Sequence, residues 1–228
     1  MAWVVDATRT ITVWADPGCP WATLALYRLH RARRAAGAED RLVFDIRAFP
    51  LELLNDQPTP RLILDAEIPV VGGLEPDIGM SLWSGRVDAY PVTTLLALEA
   101  IMAAKEQGMG LADRLDLALR LALFRDSECI SLHHVICEVA GRVEGLDAAA
   151  LEDALRSGRY RASVFADKEE AESTDVQGSP HLFLPDGTGI HNPGITMHKT
   201  DDFGQGGYPI VDEDEPGIYD DILERSLA

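Results

Sequence analysis

The chain has 228 residues, of which 46% are hydrophobic, 25% charged and 7% aromatic. That globular balance excludes disordered, collagen-like and coiled-coil classes. Its 20 Lys and Arg against 38 Asp and Glu give a formal charge of −18, which argues against nucleic-acid and anionic-membrane partners, since both call for a basic surface. No apolar run reaches the ~20 residues that span a bilayer. Met1–Thr10 lacks the basic-then-apolar order of a secretion signal. The expected compartment is therefore the cytoplasm, where thiols stay reduced.

Thr10 to Ala15 is a short apolar run that reads as a buried strand, broken by Asp16-Pro17-Gly18. From Pro20 the spacing turns helical, with Ala22, Ala25, Leu29, Ala32 and Ala36 on one face and Gly37 as a stop. Arg28, Arg31, Arg33 and Arg34 crowd the later turns, where cations suit the helix dipole. Leu42 to Phe49 is a second strand, so the unit is strand–helix–strand with a right-handed parallel crossover. Pro50 to Tyr90, rich in Pro and Gly, reads as irregular with short ordered pieces. Helical periodicity then covers Thr93–Gln107, Leu111–Phe124, Leu132–Ala140, a helix capped by Asp147, and Arg161–Ser173. His181–Leu184 reads as a strand, Asp186-Gly187 as a hairpin turn, Thr188–His191 as its partner, and Pro216–Leu227 as a closing amphipathic helix. From Asp201 to Ala228 there are nine acids and one base, read as a solvated rim.

The three cysteines, Cys19, Cys129 and Cys137, cannot all pair within one chain, so a reactive thiol fits better than a disulfide framework. Cys19 stands where the first strand hands over to the first helix. Unpaired N–H groups and the positive end of the dipole favour thiolate there, so a depressed pKa and nucleophilic character are expected. If the segment around them is one helix, Cys129, His133 and Cys137 fall at i, i+4 and i+8. The outer two are then about 12 Å apart along the axis, too far for one ion, and packing as small apolar groups is the favoured reading, with no metal expected. His181, His191 and His198 flank the hairpin and could stabilise a thiolate or move a proton. Trp21 could wall a substrate pocket or simply pack.

Asp16-Pro17-Gly18-Cys19-Pro20-Trp21-Ala22 resembles the active-site stretch of DsbA-like thioredoxin-fold proteins. The nearest group is the FrnE-type oxidoreductases, with the 2-hydroxychromene-2-carboxylate isomerases and kappa-class glutathione transferases beside them. Val176-Gln177-Gly178-Ser179-Pro180 resembles the stretch that ends in that fold's cis-proline, and the helices between match its insertion. The resemblance implies an α/β thioredoxin-like fold from residues 1–55 and 176–228, with a mostly helical insertion over 56–175. It implies that Cys19 is the nucleophile, that Pro20, Trp21 and Ala22 shape its environment, and that Ser179 and Pro180 present backbone to substrate. The family's redox members carry a second cysteine where Ala22 stands, so no disulfide can form within the motif. Thiol–disulfide exchange would then run through a mixed disulfide with a small thiol, glutathione or mycothiol, resolved externally or by Cys129. The partners expected are that thiol and a small-molecule or protein disulfide, with the chain a monomer or a homodimer. Isomerase or S-transferase chemistry on a small electrophile, or a binding protein without turnover, are the alternatives.

Overall fold

A computed structural model describes residues 9–202 and 205–228. Most of the N-terminal segment read above for a secretion signal, and residues 203–204 of the acidic tail, lie outside the described residues. The chain begins with strand β1 (Arg9–Ala15), helix α1 (Pro20–Ala35) and strand β2 (Leu42–Ala48). β1 and β2 pair in parallel from Arg9 opposite Leu42 to Ala15 opposite Ala48. Along β2 the alternation is strict: Leu42, Phe44, Ile46 and Ala48 are buried, and Val43, Asp45 and Arg47 half-buried. α1 starts on Pro20, where a missing N–H costs nothing, and stops before Gly37, whose φ of +57° suits glycine.

The stretch expected to be irregular holds a short helix α2 (Leu51–Leu54) and a 14-residue helix α3 (Arg61–Leu74). Pro69 inside α3 hid it from a propensity reading, yet Leu64, Ile68 and Val71 are buried at helical spacing. Five further helices follow: α4 (Leu95–Lys105), α5 (Met109–Phe124), α6 (His133–Gly141), α7 (Ala148–Ser157) and α8 (Arg161–Ser173). Asp147 caps α7 as expected, its carboxylate accepting from the N–H groups of Ala149 and Ala150 at 3.0 Å each. α6 begins only at His133, so Cys129 lies in the preceding turn and the premise of three ligands on one helical face fails.

The chain then returns to the sheet with β3 (His181–Phe183) and β4 (Gly189–His191) and later closes with α9 (Ile218–Leu227). The sheet order is β2-β1-β3-β4, with β3 antiparallel to both neighbours. A separate hairpin, β5 (Ile195–Lys199) with β6 (Pro209–Asp214), occupies part of the segment read as solvated rim. Among the described residues no helix is long and apolar enough to cross a membrane.

The arginines of α1 also depart from expectation. Arg28 is buried and reaches across to α3 and β6, with Nε on Glu75 at 3.1 Å and both terminal nitrogens on Asp214 at 2.6 and 2.9 Å. Arg33 is buried against Asp113 of α5 at 2.7 Å. Beyond any interaction with the dipole, these side chains staple α1 to α3, α5 and β6, and removing one partner of such a pair strands a buried charge, typically at a cost of ~3–5 kcal/mol.

His30 is packed edge-on against Phe44, with ring centroids 5.1 Å apart, and its Nδ1 accepts from Arg33 at 3.1 Å. Burial, reinforced by the neighbouring arginines, drives its pKa from 6.5 to about 3. The unfolded chain therefore takes up a proton below pH 6.5 that the folded chain refuses until about pH 3. Its contribution is intact above pH 6.5 and is lost as pH falls through that window, at up to ~1.4 kcal/mol per pH unit. In urea titrations over this range, His30→Gln should show a shallower loss of stability on acidification than the wild type.

Candidate active site

Cys19 caps the N-terminus of α1 with extended backbone (φ −92°, ψ 117°). Its Sγ accepts from the Ala22 N–H at 3.5 Å, the helix-terminal donor that the sequence leads one to expect. On its other side Sγ–H donates to the Ser179 carbonyl at 3.2 Å, and the Ser179–Pro180 peptide is cis. A contact between residues 160 apart in sequence thus joins the first helix to the turn before β3. Gly178 makes that turn possible, because a Cβ there would meet His191 Nε2 at 2.7 Å.

Asp16, at the end of β1, holds this arrangement in place and was not singled out by sequence reasoning. Its buried carboxylate accepts from the Gly18 N–H at 2.7 Å, the Leu51 N–H at 2.9 Å and the Thr94 hydroxyl at 3.0 Å. Its backbone N–H donates to the Ser179 hydroxyl at 3.0 Å, and its carbonyl accepts from the fully buried Arg120 at 2.8 Å. Arg120 is itself paired with buried Asp116 at 2.8 Å. Asp16 therefore ties the cysteine loop to the start of α2, the start of α4, α5 and the cis-proline turn. Burial raises its pKa, and the three donors pull against that rise. Gly18 is constrained by the same packing, since a Cβ there would sit 3.0 Å from Thr94 Cγ2.

Cys19 is 6% exposed. Burial, and then the nearby Glu67 carboxylate, push its pKa up to about 11, against the opposing pull of the Ala22 N–H, Ser179 and Arg120. This overturns the expected depression. The helix terminus does supply its donor, but removal of water from a charged sulfur outweighs one N–H and a partial dipole charge. Glu67 comes from α3, the helix the sequence reading left as irregular, and burial raises its own pKa while the Trp21 indole opposes the rise. Trp21 is buried and packed in the core with Leu24, Ala25 and Tyr219, so it underlies the site instead of forming an open wall.

A small, half-open cleft of about 40 Å³ lies beside Asp16 and Gly18, bounded by Glu52, Pro91, Thr93 and Thr94. Glu52 accepts from the Thr93 hydroxyl at 2.6 Å and the Thr94 N–H at 2.9 Å, fixing the approach to α4. The cleft lining carries two carboxylates and no basic side chain.

The structure brings Cys19, Pro20, Ala22, Ser179 and Pro180 together. His181 points elsewhere: its Nδ1 accepts from the Gln177 N–H at 3.0 Å, its ring stacks on Phe183 at 4.7 Å, and burial lowers its pKa. That keeps it a neutral brace for the turn. Cys129 is buried in the loop between α5 and α6, where Ser131 bonds the Thr93 backbone, and it forms no disulfide with Cys19. His191 is half-buried with a lowered pKa, and His198 pairs with Asp212 at 2.9 Å on the outer hairpin.

A four-stranded sheet with a helix-capping cysteine facing a cis-proline turn, and helices inserted between the two halves, defines a thioredoxin-fold protein of the thiol-handling class. A family model for the DSBA-like thioredoxin domain matches residues 10–200, and the chain belongs to that family. Among solved structures it is similar to the cytosolic disulfide reductase DsbM of Pseudomonas aeruginosa (18% identity, 96% of this chain and 98% of that one, TM-score 0.68). It is also similar to a probable DsbA oxidoreductase of Streptomyces coelicolor (20% identity, 96% and 89%, TM-score 0.64). A 2-hydroxychromene-2-carboxylate isomerase aligns at 16% identity over 79% of this chain and 87% of that one, with a TM-score of 0.59. No curated protein matches the chain by sequence.

Two substitutions test this geometry. In Asp16→Asn a single acceptor oxygen must replace two, so one cluster of donors is left facing an amide NH2; stability to urea should fall by about 1–3 kcal/mol. Glu67→Gln should move the pH midpoint of Cys19 alkylation to lower pH, because it removes the charge that opposes the thiolate.

Proposed function

We propose that the chain is a monothiol thiol–disulfide oxidoreductase of the cytoplasm that works through Cys19 and a low-molecular-weight thiol. The observation that carries this reading is Cys19 Sγ held 3.2 Å from the Ser179 carbonyl at the end of a helix. A disulfide substrate whose own N–H takes the Ser179 carbonyl, as an added strand would, displaces the S–H contact and leaves the sulfur facing the Ala22 N–H. Sulfur then attacks the substrate disulfide: one S–S bond forms on Cys19, the old one breaks, and the departing thiolate takes the proton that Cys19 gives up. A first small thiol attacks the substrate–Cys19 disulfide at the Cys19 sulfur, so the remaining substrate half leaves as a thiol and the small thiol stays bound to Cys19. A second small thiol attacks that adduct at the small-thiol sulfur, restores Cys19–SH and leaves as the oxidised small disulfide. Electrons balance, with the substrate disulfide reduced and two small thiols oxidised.

The cysteine count supports the scheme: Cys19, Cys129 and Cys137 are all free, and Ala22 occupies the place of a resolving thiol. Three free thiols suit a reducing compartment. The similar Pseudomonas reductase has been solved with GSH (TM-score 0.63), which supports a tripeptide-sized thiol as co-substrate. The cleft chemistry favours a thiol that carries little negative charge, as mycothiol does, over the dicarboxylate glutathione, since Asp16 and Glu52 line it without a cation.

A second reading has its own support. With its pKa near 11 the thiol stays protonated at neutral pH, so Cys19 could donate S–H to the thiolate of a bound cofactor without redox change, in isomerase or S-transferase chemistry. Cys19→Ser separates the two. Oxidoreductase action requires that wild type form a Cys19 adduct with oxidised mycothiol or glutathione, seen by intact mass, and that Cys19→Ser lose all disulfide reduction. A hydroxyl donor would keep most of an isomerase or transferase activity while no adduct forms in either protein. An adduct that persists in Cys129→Ser but clears in the wild type would assign Cys129 as resolver.

A further inference from the structure

The structure places a second chemically competent cluster outside the Cys19 site, on the facing surfaces of α6 and α7. His133 and Cys137 stand one turn apart on α6, so both project to one side of the helix. Glu152 comes across from α7, which packs against α6. A ligand atom from each of the three lies within 4.8 Å of the others; His133 and Cys137 are half-buried and the Glu152 carboxylate lies at the solvent edge. His133 Nδ1 is 3.8 Å from Cys137 Sγ. The corresponding edge of a tetrahedral zinc site, from its usual Zn–S and Zn–N bond lengths, is about 3.6 Å.

We propose that His133, Cys137 and Glu152 form a three-ligand site for a thiophilic divalent cation of the zinc class, with a fourth position open to water. Imidazole, thiolate and carboxylate together fit zinc and disfavour calcium or magnesium, which take oxygen ligands. One further feature suits an ion here. Arg156 bonds Glu152 through two nitrogens, yet both reach the same oxygen, Oε1. The carboxylate is thereby oriented by an outer partner with its second oxygen able to turn to a metal, as ligating carboxylates commonly are. On binding, the Cys137 thiol releases its proton to solvent and forms the metal–sulfur bond, with no change of oxidation state. The ion would clamp α6 to α7 within the helical block and mask Cys137 from oxidation.

The experiment is a cobalt(II) titration of the full, reduced, chelator-stripped protein, read by absorption and repeated with zinc as competitor. The expected result is one saturable site with a thiolate-to-cobalt charge-transfer band that zinc abolishes. Cys137→Ser should lose the band while keeping the wild-type circular dichroism. Glu152→Gln should keep a thiolate band but bind at least about tenfold more weakly, since losing a ligand costs no less than losing its outer partner. The absence of a saturable band in the wild type would overturn the proposal, as would a band that survives Cys137→Ser, because the metal would then sit on Cys19 or Cys129.

Discussion

The geometry of this protein depends on the buried carboxylate of Asp16. Its two oxygens collect Gly18, Leu51 and Thr94, while its backbone N–H and carbonyl engage Ser179 and Arg120. Four segments distant in sequence, together with the adjoining cysteine loop, thereby converge on one residue just past the end of the central strand. An acid in that position is costly to bury, and the cost is offset only because every acceptor has a donor. The position of Cys19 follows from this, because Asp16 sets the turn that delivers the cysteine to the helix and also holds the turn that supplies its partner carbonyl.

Two opposing influences act on the thiol. The end of α1 offers a donor and a favourable field, while the surrounding protein removes water and Glu67 adds a negative charge. Desolvation is the larger effect, and the resting sulfur is a protonated donor to Ser179. On the function proposed above, the site stays closed until a substrate replaces the Ser179 contact, and a thiol that ionises only when engaged is protected from stray oxidation.

The elements of the fold are fastened to one another by buried and half-buried ion pairs as well as by apolar packing. Arg28 with Glu75 and Asp214, Arg33 with Asp113, and Arg47 with Asp167 each join elements that sequence places far apart. Such pairs add little net stability over apolar contacts but penalise any arrangement in which a partner is missing. In a chain with 18 more acids than bases, each buried arginine has carboxylates within reach, and these pairs help select one packing of the helices.

Periodicity and turn chemistry determined much of this protein from the sequence alone. The β1–α1–β2 unit, the helices from Leu95 to Ser173, the Asp147 cap, the β3–β4 hairpin and the closing helix are all local patterns, since they follow from side chains three, four or two residues apart. The Cys19 motif and the Ser179–Pro180 turn were legible through their resemblance to a known active-site stretch. Local pattern failed where distant partners decide. α3 was hidden by Pro69, because its helix is stabilised by packing Leu64, Ile68 and Val71 against the core. The arginines of α1 were read for the helix dipole alone, because their partners Glu75, Asp113 and Asp214 lie in other segments. The thiol pKa, the Asp16 hub and the His133–Cys137–Glu152 cluster are set by groups that meet only on folding, and desolvation and three-dimensional proximity have no counterpart in the spacing of residues along a chain.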